Sequence, residues 1–250
     1  MDAPPVRLFD RLRGGVVRPL RRFALLSVAA VEIVRLHLSV IHSLNHIPVH
    51  GFVIKHPSVG AILVDTGVGY PEELVREWKV VNRHVADALA EHDLSPADVR
   101  IVVNTHLHFD HCGQNAVFKH APFYVQRAEL DRARKENSIT NQWFDFAGAK
   151  YELLDGDAEI AEGVRAVATP GHTVGHQSVI VESDEGDAVM IGDAAYTARI
   201  YEQGDQADLR QWRGQYSDRE SWSRSLNALH DMHPHTVHFC HDTRIAGQHS

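Results

Sequence analysis

Thr105-His106-Leu107-His108-Phe109-Asp110-His111 is the stretch from which the rest of the chain is read. It follows Ile101-Val102-Val103-Asn104, a short β-branched run bounded by polar residues, which predicts a buried strand. Three imidazoles and a carboxylate therefore sit on a tight loop at a strand end. Imidazole nitrogen with some carboxylate oxygen is the donor set of borderline cations such as Zn²⁺. Four donors within six residues exceed what one tetrahedral ion takes from so short a segment. His106 with His108, and Asp110 with His111, are expected to serve two neighbouring ions. The chain has 19 histidines, and most are read as ordinary surface or core residues; only this packing of donors marks a metal site.

Three further segments carry donors where a strand meets a loop. Thr169-Pro170-Gly171-His172 forces a turn and presents His172 at its tip. Ile191-Gly192-Asp193 is an apolar run ending in Gly-Asp, and Phe239-Cys240-His241 places a donor after a late strand. His176 competes as a ligand and is read as structural, since it lies deeper toward the next strand. Asp65, in Asp65-Thr66-Gly67-Val68-Gly69, is read as supporting the centre rather than ligating it.

Together H-x-H-x-D-H, Pro-Gly-His, Gly-Asp and the late His resemble the metallo-β-lactamase superfamily. Val125-Gln126-Arg127, Gly175-His176-Gln177-Ser178 and Asp193-Ala194-Ala195-Tyr196-Thr197 resemble its N-acyl homoserine lactonase group. The resemblance runs from about residue 47 to 242. It implies an α/β (α+β) fold, the four-layer αββα sandwich, with the metals at one edge of two sheets. It implies two Zn²⁺ per chain, with Fe, Co and Mn as other divalent metals for such a site. His106, His108 and His172 would bind one ion, and Asp110, His111 and His241 the other, with Asp193 bridging. The implied reaction is attack of a hydroxide bridging the zinc ions on the lactone carbonyl. Tyr196 would stabilise the oxyanion and Asp110 would carry the proton to the leaving alkoxide. A thioester or other ester hydrolase of the glyoxalase II kind is the alternative. A flavodiiron-type redox protein is disfavoured, because it has Glu where His108 stands.

The remaining chain bounds this reading. At 250 residues, with 44% hydrophobic and 23% charged, it suits one globular domain over 1–250. Residues 1–22 hold six Arg against two Asp and are expected to be a mobile basic arm. A net charge of −8 argues against a nucleic-acid partner. No apolar stretch approaches a membrane span. Phe23–Val31 after Arg21-Arg22 faintly resembles a signal peptide, but Glu32 and Arg35 interrupt it. With Cys112 and Cys240 read as small buried residues, the expectation is a cytoplasmic monomer or homodimer acting on a small lactone.

Strands are expected at Phe23–Val34, Leu36–Ile41, Ile47–Lys55 and Gly60–Asp65, with a hairpin at Pro57-Ser58. Helices are expected from Pro71 through Glu72–Trp78, and over Asn82–His92 and Arg127–Lys135. A short helix is expected within Gly113–Phe118, and a strand at Phe123–Gln126. Trp143, Phe144 and Phe146 line a pocket or fill a core. Further strands follow at Tyr151–Leu154, Val164–Ala168, Gln177–Glu182 and Asp187–Ile191. An amphipathic helix over Ser217–Met232 precedes a last strand at Thr236–Cys240.

Overall fold

The computed structural model describes residues 31–69, 72–136, 140–212 and 214–247. The expected basic arm, residues 23–30 of the first apolar run, and Pro71 lie outside them.

A seven-stranded sheet has the order β4-β1-β2-β3-β5-β6-β7. It comprises β1 (Glu32–Ile41), β2 (Ile47–His56), β3 (Gly60–Val64), β4 (Val80–Asn82), β5 (Val99–Val103), β6 (Pro122–Gln126) and β7 (Lys150–Leu154). Its first half is antiparallel, and β3, β5, β6 and β7 run parallel. A six-stranded sheet has the order β13-β12-β11-β10-β9-β8. It comprises β8 (Ala158–Ala161), β9 (Val164–Ala168), β10 (Gln177–Val181), β11 (Ala188–Met190), β12 (Thr236–His238) and β13 (Ile245–Ala246).

Alternation along the strands builds the layers. Phe52, Ile54, Ile62, Val64, Ile101 and Val103 face Val164, Ala166, Val179, Val181 and Met190 across the inter-sheet core. Their neighbours Val53, Leu63 and Val102 face outward onto α2 (Val85–Ala90), which follows α1 (Glu72–Glu77) in the chain, through Val85, Ala88 and Leu89. On the other side, Val167, Ile180, Val189 and Val237 pack on α5 (Ala198–Gln203) and α6 (Arg219–Asp231), through Ile200, Trp222, Leu226 and Leu229. The result is the expected αββα sandwich. Strands buried on both faces explain the near-continuous apolar runs in the sequence.

The pairings place the donor-bearing loops at one edge. β9 and β11 both run antiparallel to β10, and β12 runs parallel to β11. The C-terminal ends of β9, β11 and β12 therefore share one edge, and His172, Asp193 and His241 follow them. The loop after β5 is tied to the same edge, since Gln177 N donates to Thr105 O at 2.9 Å.

Some expectations need correction. The break expected at Arg35 is absent. β1 is continuous because its guanidinium turns aside to Thr243 O at 2.7 Å, while Val34, Leu36 and Leu38 keep the core face. The helix expected over Asn82–His92 begins only at Val85, since Val80–Asn82 pairs with Ser39–Ile41 as the edge strand β4. Trp143 and Phe144, on α4 (Asn141–Phe144), are buried in a core cluster with Leu107, Cys112, Val125 and Leu130. Phe146 packs against the cluster containing Phe123. Of the two outcomes the sequence left open, these rings fill core, with Trp143 also edging a surface cleft beside Gly113 and Gln142.

Candidate metal centre

Each donor is delivered by a short backbone device. His111 N and Cys112 N turn back onto His108 O at 3.1 and 3.2 Å, curling the loop after β5 so that its donors face one point. Gly113 closes that curl: its N–H donates to Gly67 O at 2.8 Å, and a Cβ there would lie 1.9 Å from Gly69 N. The Pro170-Gly171 turn holds φ +139° at Gly171, where a Cβ would meet the Trp222 backbone at 2.3 Å. Only glycine allows that approach to α6.

Two groups of donors result. His108 Nδ1 lies 3.0 Å from His106 Nε2 and 2.9 Å from His172 Nε2. Nitrogens sharing one tetrahedral zinc sit roughly 3.3 Å apart. Asp110, His111 and His241 form the second group, with His241 Nε2 3.5 Å from Asp110 Oδ2 and His111 Nε2 3.9 Å from Asp110 Oδ1. Asp193 stands between them. Its Oδ2 is 3.6 Å from His106, 3.4 Å from His172 and 3.3 Å from His111, and its Oδ1 is 3.4 Å from His241. All seven positions singled out in the sequence as ligands thus lie together.

The imidazoles are oriented from behind. His172 Nδ1 contacts Gln215 O at 3.2 Å, and His241 Nδ1 contacts Pro48 O at 2.9 Å. A carbonyl can only accept, so Nδ1 carries the proton and Nε2 turns a lone pair inward. Asp65 Oδ2 does the same for His111 Nδ1 at 2.8 Å, while also accepting from the Thr105 hydroxyl at 2.7 Å. Asp65 supports the centre as expected. His176 Nε2 accepts from Asp193 N at 2.9 Å and does not point at the donors. It holds the backbone of Asp193.

The electrostatics suit a cation. Burial drives His106, His108 and His172 toward the neutral, ligating form, His108 down to about 3 and His172 to about 4. Burial also opposes charge on His111, yet Asp193, Asp110 and Asp65 outweigh it and raise its pKa well above the usual value. The surroundings therefore demand positive charge at that point. His111 Nε2 and Asp193 Oδ1 are buried with no hydrogen-bond partner. Two orphaned atoms amid neutral imidazoles and carboxylates are what a divalent cation would satisfy. The residues fit such an ion.

A cleft of about 480 Å³ opens onto the donors, walled by Leu44, Ile47, Trp78, Phe109 and Trp212 and floored by His108, Asp110, Asp193 and His241. Tyr196 also lines it, its ring against His172 and His241 at 5.6 and 5.3 Å, and its hydroxyl donates to Gly214 O at 2.8 Å. Burial, then Asp193 and Asp110, raise its pKa well above the phenol value, so it stays a proton donor. Cys112 and Cys240 are fully buried thiols, burial pushing Cys240 up to about 12.

Sequence reading missed two supports. Gln215 donates to Asp193 O at 2.7 Å and accepts from Tyr196 N at 3.0 Å. Glu129, on α3 (Arg127–Glu136), accepts from Leu107 N at 2.8 Å. Gln215 left no local signal. Glu129 did, as an acidic residue on the helix face that buries Leu130 and Ala133.

Comparison with known proteins agrees with this geometry. The sequence profile of the metallo-beta-lactamase superfamily matches residues 44–241. An N-acyl homoserine lactonase of a Bacillus species is 34% identical over 159 residues, 57% of this chain and 62% of the relative. The chain thus spans less than two thirds of that relative. One from Bacillus cereus is 31% identical over 176 residues, 64% of this chain and 69% of the relative. Among solved structures, an N-acyl homoserine lactone hydrolase with N-hexanoyl-L-homoserine bound at its catalytic metal centre is similar. It is 25% identical, with a TM-score of 0.69 over 87% of this chain and 94% of that one.

Proposed function

Because the chain belongs to the metallo-beta-lactamase superfamily, we propose that it is a metal-dependent hydrolase opening the lactone ring of N-acyl homoserine lactones. The observation carrying this is the meeting of two donor groups around Asp193 at the floor of an apolar cleft. His106, His108 and His172 would hold one zinc ion and Asp110, His111 and His241 a second, with Asp193 between the two groups. When bound, such a pair of cations activates water as a nucleophile near neutral pH and polarises an ester carbonyl.

The chain's own groups do the rest. Leu44, Ile47, Trp78, Phe109 and Trp212 hold an acyl tail and exclude water from the floor. Tyr196 keeps its proton and donates a hydrogen bond to the oxygen on which negative charge develops, giving up its contact with Gly214 O. Asp110, a floor carboxylate only 7% exposed, takes the proton released by water and passes it to the departing alkoxide. Among the described residues, Arg210 is the one guanidinium on the cleft wall, and Asp208 engages it at 2.6 Å. With Arg210 so paired, the described wall is chiefly apolar, which suits an acyl tail.

The test is pH-stat hydrolysis by metal-replete protein of short- and long-chain acyl homoserine lactones, simple γ-lactones and a thioester. The expected result is a kcat/KM for acyl homoserine lactones above that for the other classes. Thioester cleavage outpacing every lactone would overturn the assignment.

A further inference from the structure

The centre is supported by a buried ion pair that the reaction outlined above does not use. Glu129 is 0% exposed, in the first turn of α3. Its Oε1 accepts from Leu107 N at 2.8 Å, and Leu107 lies between His106 and His108. Gly175 of the other donor loop is pressed against the same residue, since a Cβ there would lie 2.2 Å from Glu129 N. Thr173, next to His172, lies near enough to help keep the carboxylate ionised without meeting hydrogen-bond geometry. One residue thus touches both loops that carry the three-imidazole group.

Its charge has a partner. Arg132 donates to Glu129 Oε1 at 2.5 Å and to Oε2 at 3.3 Å, and reaches Glu136 at 2.6 Å. The Arg132 side chain is 16% exposed, and the carboxylate oxygen it engages is the same one that accepts from Leu107 N, next to His108. A guanidinium close to a cation's ligands weakens cation binding unless it is neutralised.

We propose that Glu129 is a positioning residue for the three-imidazole half of the metal centre. Its carboxylate pins the backbone between His106 and His108 and neutralises Arg132, which would otherwise oppose a cation at His108. This rests on the two-ion reading above, with the roles of the two halves now separated. Groups behind a metal's ligands typically set affinity by roughly 10–100-fold.

The experiment titrates metal-free protein with Co²⁺, following its visible absorption and the competition of a chelator. Wild type is expected to take up two ions. Glu129→Gln keeps an acceptor for Leu107 N but loses the charge. It should bind one ion as wild type does and the other about 10–100-fold more weakly, with an altered spectrum. Adding Arg132→Met should recover at least half of that loss on a logarithmic scale, which a purely structural role for Glu129 does not predict. Folded Glu129→Gln that binds both ions with wild-type affinity overturns the proposal, as does a double variant with no recovery. Should Glu129→Gln not fold, the double variant decides alone: two ions with the weaker within tenfold of wild type support it, and one or none overturns it. A wild type that takes a single ion, still weakened in Glu129→Gln, would sink the two-ion reading and leave the role of Glu129 standing.

Discussion

At the scale of the residue, His111, His172 and His241 each have one nitrogen tied down and the other aimed inward. Asp65, Gln215 O and Pro48 O fix them from outside, so orientation is set before any ion arrives. Tyr196 differs, because its hydroxyl is spent on Gly214 O and reaches substrate only by exchanging that partner. Removing the hydroxyl should leave the donors in place while removing one hydrogen bond from the transition state. For Tyr196→Phe we expect kcat to fall roughly 10–100-fold, with metal content unchanged. Steady-state kinetics beside elemental analysis check this, and an unaltered kcat would take Tyr196 out of the mechanism.

Elements explain which parts could be read from the sequence. The loop after β5 was legible because four donors stand within six residues behind a β-branched strand. His172 was legible through Pro170-Gly171, and Asp193 through Gly192, whose φ of +61° turns the chain as β11 ends. Elements buried on both faces, such as β2, β3 and β10, announced themselves as apolar runs. What stayed hidden was short or held from afar. β4, β8 and β13 have 3, 4 and 2 residues, too few to show a period. α5 has 6 residues and depends on Thr197 and Asp242 to cap its first turn. Gln215 acts on a backbone atom 22 positions away, a relation no local pattern encodes, whereas Glu129 betrayed itself only by sharing a helix face with Leu130 and Ala133. The splitting of β1 at Arg35 came from treating a charged residue as a break. In a strand, every second side chain can leave the core face, and Arg35 does.

For the whole molecule, the sandwich brings both sheets to one edge, and that junction makes stability sensitive to acid. His50, on β2, is 2% exposed; its backbone N–H donates to Cys240 O at 2.9 Å beside His241, and its ring Nδ1 lies 3.3 Å from Phe239 O. Burial, then the charge of Arg35, holds its imidazole down to about 4, whereas an unfolded histidine titrates near about 6.5. Between those values the unfolded chain binds the extra proton, so stability rises with pH. The contribution is complete above about pH 6.5 and is lost as pH falls to about 4, on the order of 3 kcal/mol in all. Urea midpoints for metal-free His50→Leu should accordingly vary less between pH 7 and pH 4 than those of wild type, whereas parallel curves would contradict this. Among the described residues no helix is long and apolar enough to cross a membrane. What the fold does for function is gather distant donors about one carboxylate, and elemental analysis after zinc equilibration and gel filtration tests that most directly. The account predicts two zinc ions per wild-type chain and the loss of metal together with lactone hydrolysis in Asp193→Ala; a metal-free wild type, or an Asp193→Ala protein that keeps both ions, would contradict it.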